Sequence, residues 1–368
     1  MNNLISFIFI ISNLLLLTGC FGAREIESET YITAIGMDYE AGEFKVYIQG
    51  LNFGNIAKQE GASIEQQPIL IGEAKGENIV EAYGQLEQMA ELPLNSGHVH
   101  TIILSKNIME KNMEDVLDLI SHSPLLRYTF YLFGTEENLK SLMQTQSFFN
   151  FSQLYSVIHR PERIIQYNFE LPILVYNEFV SRYYRPVGTI LVPSLTIDKT
   201  HFTEDKEKSV PVMNGEYLFS RQQYKGWISK EDLSGLRWFN KGIQAKTVRI
   251  GTENVSVRVS NPRAKIEVIQ GKTPSYKIVV KGDAVLTQNR KKQNLKEIET
   301  ELNKEIAKDI VSTIKKGDLF DTDVLNISEK SYKYYLNKWS ADTIREFNED
   351  SVKEILVNIR VDTGNSKY

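Results

Sequence analysis

Over roughly the first 200 residues the apolar positions switch repeatedly between two periods. Two runs alternate apolar and polar residues as strands do, "TYITAIGMDYE" and "EFKVYIQGLNF", joined by a turn-like Glu40-Ala41-Gly42. "QQPILIGEAKG" reads as a third strand. The next segment, "NIVEAYGQLEQMAEL", places Ile79, Tyr83, Leu86 and Met89/Ala90 at helical spacing. "HVHTIILS" then predicts a strand, "NMEDVLDLISHS" a helix that stops at Pro124, "RYTFYLFG" a strand and "TEENLKSLMQ" a helix. Further helices are expected within 148–159 and 171–184, before a strand at 187–197. This alternation predicts helices packed on a mixed sheet.

The pattern changes at the polar run "DKTHFTEDKEKS". Residues 199–209 of that run read as a linker between an N-terminal region, 20–198, and a C-terminal α+β domain, 210–368. "GEYLFSRQQYKGWIS" predicts a hairpin turning near Gln222–Gly226. A short helix is expected over "SKEDLSGLRWFN", with Ser229 as its cap and Asp232 at the third helical position. Strand-like runs follow at 246–251, 254–260, 263–270 and 275–286; in the last, Tyr276, Ile278, Val280, Ala284 and Leu286 share a face. Residues 293–316 set Leu295, Ile298, Leu302, Ile306, Ile310 and Ile314 at three- and four-residue steps, the apolar stripe of a long core-facing helix. A closing helix around 331–347 and a strand "KEILVNIRV" complete the reading. The fold class expected is α+β, with two to three mixed domains and strands and helices in each.

The N-terminus has a different character. Residues 4–17, "LISFIFIISNLLLL", form an apolar run shorter than the roughly 20 residues of a bilayer span, which suits a signal peptide. Leu17-Thr18-Gly19-Cys20 then has the order of a bacterial lipobox: a branched apolar residue, two small residues and a cysteine. The chemistry needs that order, because a transferase alkylates the thiol with diacylglycerol and a peptidase cuts just before it. Residues 1–19 are therefore expected to leave as a lipoprotein signal peptide, with Cys20 as the lipid attachment site. "MNN" supplies no Lys or Arg to the usual positive leader region. Cys20 is the single cysteine, so neither a disulfide framework nor a cysteine-based metal site is available.

Composition narrows the function classes. The formal net charge is −4, from 43 basic and 47 acidic residues, without the basic surplus of a nucleic-acid binder. The densest basic cluster, "NRKKQNLK", reads as the solvated start of the long helix. Small constellations that hint at catalysis each fall short. "GHVH" aligns His98 and His100 along a strand, but no third ligand is close in sequence. "DTG" at Asp362-Thr363-Gly364 ends a strand, and aspartic protease chemistry needs a second such carboxylate. "DLFDTDVLNISE" fails as a calcium loop, because the position that requires Gly holds Asn326 and the one that requires Glu holds Tyr332. There is no G-x-S-x-G, P-loop or dinucleotide fingerprint. No catalytic residue, metal site or cofactor is assigned, and no enzymatic activity is expected.

The order of features resembles the Ger(x)C family, the lipoprotein C subunits of spore germinant receptors. The resemblance spans nearly the whole chain: the lipobox Leu17–Cys20, then Arg24-Glu25-Ile26, then "ITAIGMD", then "GHVHTIILSKNIMEKNMEDVLDLI" and "LVPSLTI". It continues through "GEYLFSRQQYKGWISKEDLSGLRWFNKG", Asp318-Leu319-Phe320, Trp339 and "RVDTG". The departures are local. Phe21 follows the cysteine where Trp is usual, Ser121-His122-Ser123-Pro124 stands where the family has Arg-Asp-Pro, and Asp321 and Asp323 replace glycines. The resemblance implies a receptor subunit at the outer face of the spore inner membrane, required for nutrient-triggered germination. It would be held to the bilayer by lipidated Cys20 and assembled with integral-membrane A-type and B-type subunits. It implies no catalytic residue, no nucleic-acid partner and no direct nutrient binding by this subunit. The rival reading is a solute-binding lipoprotein of a transporter, which would need two lobes hinged around a cleft.

Overall fold

The structure, a computed structural model, describes residues 28–51, 69–123, 126–165, 171–239, 245–250, 255–290 and 292–363. Strand β1 (Thr30–Glu40) pairs antiparallel with β2 (Glu43–Leu51), which pairs antiparallel with β3 (Leu70–Gly76). The β1–β2 turn has positive φ at both Ala41 (54°) and Gly42 (89°). That geometry matches the right-handed twist of the strands it joins. Helix α1 (Ile79–Met89) follows, capped by Asn78, whose side chain accepts the Glu81 N–H. Strand β4 (Leu94–Asn95) sits beside the start of β1.

Strand β5 (Thr101–Ser105) runs parallel to β1 and is buried along its whole length. The parallel order continues through β6 (Tyr131–Thr135) and β7 (Ile190–Asp198). Helices α2 (Lys106–Lys111) and α3 (Met113–His122) connect β5 to β6; α2 is an element the sequence pattern did not suggest. Helices α4 (Leu139–Met143), α5 (Pro161–Ile165) and α6 (Tyr176–Tyr183) lie between β6 and β7. Where a helix was expected within 148–159 there are two 3₁₀ turns, Phe148–Asn150 and Gln153–Tyr155. Phe149 there has φ 54°, outside any right-handed helix.

Residues 199–209, read from sequence as a linker, join hydrogen-bonded neighbours. Strand β8 (Val210–Ser220) pairs antiparallel with β7, and β9 (Gln223–Ser229) with β8. The sheet order is β3-β2-β1-β5-β6-β7-β8-β9, so one sheet runs across the segment. Alternation along β5 sends Ile102 and Leu104 to one face and Ile103 to the other. The first face packs on α1, α2, α3 and α6 through residues such as Leu86, Ile108, Val116 and Phe179. The opposite face is covered by Leu139, Leu142 and Met143 of α4 with Val157 and Ile158.

A second sheet has the order β10 (Ala245–Ile250), β11 (Val255–Ile269), β12 (Ser275–Asn289) and β13 (Val352–Asp362), with β13 parallel to β12. The runs expected at 254–260 and 263–270 are one strand, β11. Pro262 has no N–H to give a ladder, and it falls in an irregularity between Ser260 and Arg263, where Asn261 takes φ 47° and the chain pairs with β12 on both sides. Across this sheet lies helix α7 (Leu295–Asp318), with Ile298, Leu302, Ile306 and Ile310 fully buried and Ile314 nearly so. The same core takes in Leu191, Leu218 and Ile228 from β7, β8 and β9. Helix α7 therefore shares its core with both sheets.

Two expected helices are altered by tertiary contacts. "SKEDLSGLRWFN" forms turns and a short 3₁₀ helix, Leu236–Trp238, although Ser229 Oγ does accept the Asp232 N–H at 3.1 Å. Gly235 lies directly on α7, where a Cβ would come within 2.8 Å of Asp309 O. Its N–H donates to Thr313 Oγ1 at 2.9 Å, and that hydroxyl donates to Asp232 O at 2.8 Å. The closing helix is split into α8 (Glu329–Tyr334) and α9 (Ala341–Arg345), because Trp339 turns inward to donate to Lys272 O and Ser340 caps a new helix. Among the described residues no helix is long and apolar enough to cross a membrane.

Candidate functional site

Cys20, the expected attachment site, and Arg24-Glu25-Ile26 lie outside the described residues, which begin just before β1. The entry to β1 is tied down: Asn95 Nδ2 donates to Glu29 Oε2 at 2.6 Å, and Thr30 N–H donates to Pro93 O at 3.0 Å. Whatever holds residue 20 thus pulls on a strand buried within the large sheet.

The motifs that hinted at chemistry are structural where they are described. His98 ends a 3₁₀ turn and His100 precedes β5, so the two do not lie along one strand face; the His98 ring stands edge-on to Tyr31. His100 stands edge-on to the ring of His159, 6.4 Å between centroids. No group of three or more potential metal-ligating side chains occurs among the described residues. Asp362 closes β13, and Gly364 lies outside the described residues. Within 318–329, Asp323 is buried and accepts from both the N–H (2.6 Å) and the hydroxyl (2.7 Å) of Ser328. Burial pushes its carboxyl up to about 6, against those two hydrogen bonds. Asp321 pairs with Arg221 and Lys225 of the β8–β9 hairpin. The two aspartates that depart from the family pattern thus hold a loop shut and fasten it to the large sheet.

The "SGLRWF" segment is likewise a fastening. Trp238 is 1% exposed, its Nε1 donates to Asp309 Oδ2 at 3.2 Å, and Arg237 reaches the same oxygen at 2.7 Å. One carboxylate of α7 therefore holds two adjacent side chains of the preceding turn.

Two buried polar groups are of another kind. Gln49 donates to Met143 O at 2.6 Å, and its Oε1 lies 2.7 Å from His159 Nε2, joining α4 to the segment before α5. Burial, reinforced by the positive charge of His100 and Arg160, lowers the His159 imidazole to about 3. It is neutral at physiological pH, and because Gln49 Oε1 can only accept, the Nε2–H tautomer donates to it. Glu216, on β8 between Pro193 and Ile228, is 0% exposed, and neither carboxylate oxygen has a hydrogen-bond partner. Burial alone raises its pKa well above the carboxylate range. Sequence reasoning missed both groups: Glu216 sits in an alternating strand run and His159 at the end of an expected helix, where a lone polar residue looks solvent-facing.

It also missed a surface. Phe149 (69% exposed), Phe151 (56%), Tyr155 (53%), Phe202 (45%) and Phe148 (37%) form one chain of ring contacts at the surface. The signal was present in "SFFNFSQLY", where aromatics crowd a polar segment too short for a buried helix.

The surface depressions are open. One, about 730 Å³, is lined by charged and polar side chains that include Arg263, Lys281, Asp283 and Arg360. At the junction of the hairpin with the 319–328 loop, the space between Gly188, Ser220 and Asp323 is about 30 Å³, water-sized.

Comparison with known proteins agrees with this architecture. The family model described as "Spore germination protein N-terminal domain" matches residues 22–197. The model described as "Spore germination B3/ GerAC like, C-terminal" matches residues 214–364. Spore germination protein KC of Bacillus subtilis (strain 168) is 22% identical, over 97% of this chain and 93% of its own length. Spore germination protein GerQC of Bacillus cereus is 22% identical over 94% of each chain. The crystal structure of the GerBC protein superposes with a TM-score of 0.53 at 15% identity, covering 89% of this chain and 96% of that one, which shows a shared fold.

Proposed function

This chain belongs to the Ger(x)C family of spore germination proteins, and from that premise we propose that it is the lipid-anchored C subunit of a nutrient germinant receptor. The observation that carries the proposal is the reach of the two family models, which begin two residues beyond Cys20 and end at residue 364. Cys20, after the apolar run 4–17, would carry diacylglycerol on its sulfur and, once residues 1–19 are removed, an acyl chain on its nitrogen. Two or more acyl chains anchor a protein stably where one does so only marginally. The folded part would then lie at the outer face of the spore inner membrane beside the integral-membrane A-type and B-type subunits. Tethering raises their effective concentration without any new contact.

The subunit acts by assembly and not by catalysis. The carboxylates that sequence motifs singled out, Asp321 and Asp323, hold the fold together. A hinged solute binder gains no support from an architecture in which α7 shares a core with both sheets.

The test is Cys20→Ala expressed in spores. The expected result is a folded protein that leaves the membrane fraction, no longer co-purifies with the A-type and B-type subunits after crosslinking, and does not support nutrient-triggered germination. A variant cleaved, released and still fully germination-competent would overturn the anchoring, and crosslinked partners other than those two subunits would overturn the assembly.

A further inference from the structure

We propose that the exposed aromatic cluster formed by Phe148, Phe149, Phe151, Tyr155 and Phe202 is a second membrane contact, dipping into the headgroup region of the bilayer beside the lipid anchor. The bilayer's proximity rests on the reading above; the cluster's own affinity does not.

Its construction is the first argument. Five rings on two separate loops touch in sequence, with centroids 4.9 Å apart for Phe148 and Phe202 and 6.1 to 6.3 Å for the other neighbouring pairs. The loops are locked together by the Phe149 N–H, which donates to Glu204 Oε1 at 2.8 Å. Phe149, the most exposed of the rings, has φ 54°, a conformation that costs a bulky residue energy and persists only where its surroundings enforce it. The backbone is therefore held in an unfavourable state that presents a phenyl ring to the outside.

Charge is the second. Two acidic groups beside the rings are engaged, Glu204 with the Phe149 N–H and Lys208 and Glu162 with the Tyr131 hydroxyl, while Asp205 and Glu207 of the Phe202 loop are exposed and alternate in sequence with Lys206 and Lys208. The guanidinium groups of Arg160 and Arg163 flank the Tyr155 ring at 5.3 and 5.2 Å. Aromatic side chains flanked by arginines are the composition that settles at a membrane–water interface, with rings at the acyl boundary and guanidinium groups on phosphates.

Position is the third. The hydroxyl of Thr101 donates to Ile158 O, and Thr101 is in register with Ala34 of β1. Tyr155 is three residues from Ile158 and Thr30 four from Ala34, which puts the Tyr155 end of the patch within roughly 35 Å of the entry of β1, while Phe202 follows the C-terminal end of β7, a strand parallel to β1. The ten peptide steps from Cys20 to Thr30 span at most about 35 Å. The tether is therefore long enough for one bilayer to hold the anchor and reach the Tyr155 end of the patch.

The experiment uses full-length chain in phosphatidylcholine–phosphatidylglycerol vesicles with acyl chains brominated near the headgroup, which quench nearby indole fluorescence. Phe149→Trp is compared with Tyr334→Trp, a control at another exposed ring, and the unmodified chain supplies the background. The expected result is at least twofold quenching at position 149 and none at 334. Cys20→Ser versions are titrated with millimolar lipid to separate the patch from the anchor. Quenching at 149 should persist there, and Phe149→Ser/Phe151→Ser/Phe202→Ser should weaken vesicle binding at least tenfold while its melting temperature stays within a few degrees. No quenching at 149 in the Cys20→Ser chain at saturating lipid overturns the inference whatever the anchor does. So does a position 149 that responds only when the A-type and B-type subunits are present, which would make the cluster a protein-docking site. Loss of flotation by Cys20→Ser with quenching at 149 retained leaves both the anchor and the inference standing.

Discussion

Asn326 holds the peptide of Thr189 from both sides: its Oδ1 accepts the Thr189 N–H at 2.7 Å and its Nδ2 donates to Thr189 O at 3.0 Å. A side-chain amide here does what a neighbouring strand would do, and it joins the C-terminal loop to the start of β7. Arg182 adds a bond to the same carbonyl at 3.1 Å and one to Glu329 at 2.7 Å. Gly188 beside it has φ 107°, and a Cβ there would meet Glu329 Oε1 at 2.5 Å. The backbone is thus left bare where the two parts of the chain meet.

Asn326→Ala is expected to destabilise the protein by about 2–4 kcal/mol, because it orphans the buried Thr189 N–H and puts alanine at a left-handed φ of 52°. Denaturant unfolding checks this. A loss under about 0.5 kcal/mol would mean that water replaces the amide, and that the junction is held by Arg182 and Glu329 alone.

Trp238→Ala should cost about 3–5 kcal/mol, the range for a large buried ring. Asp309→Asn should cost less, since the asparagine oxygen can still accept from Arg237 and Trp238. Thermal unfolding of the two variants side by side separates packing from hydrogen bonding. Unchanged stability of Trp238→Ala with lost germination would instead make the residue an interface residue.

Glu216 gives a pH signature. Its folded pKa is raised, so the unfolded chain releases the proton first as pH rises above the ordinary 4.5. Its contribution is whole below that value and is lost as pH rises toward the folded pKa. Glu216→Gln should therefore melt higher than the parent at pH 8, with the gap closing toward pH 4. A gap that does not vary with pH would show that the carboxyl is solvated.

His159 works in the opposite direction. Its imidazole is lowered from 6.5 to about 3, so the unfolded chain takes up a proton that the folded chain refuses. Stability is whole above pH 6.5 and drains away between there and about pH 3. His159→Gln should flatten the loss of stability between pH 6 and pH 4, read from melting temperatures across that range. An unchanged slope would assign acid sensitivity to other groups.

The sequence by itself determined the elements with strong periodicity and the polarity of the N-terminus. The six-turn stripe of α7 and the alternating β1–β2 hairpin follow from which residues must leave water, a local rule that a linear pattern states directly. The expected lipobox at Leu17–Cys20 is likewise a local reading, because the chemistry it would direct acts on an extended peptide. Only the tertiary structure decided how these pieces join. Whether 199–209 separates two domains or turns one strand back onto its sheet depends on β7 and β8 finding each other, and loop composition is the same either way. Pro262 punctuates a sequence, yet β12 carries β11 past it. Gly235 and Trp238 read as helix until α7 offers Thr313 and Asp309 as hydrogen-bond partners. The aromatic cluster was hidden for the same reason: Phe202 meets Phe148 across 54 residues of chain, and exposure of a ring is decided by what folds over it, which no window of sequence contains.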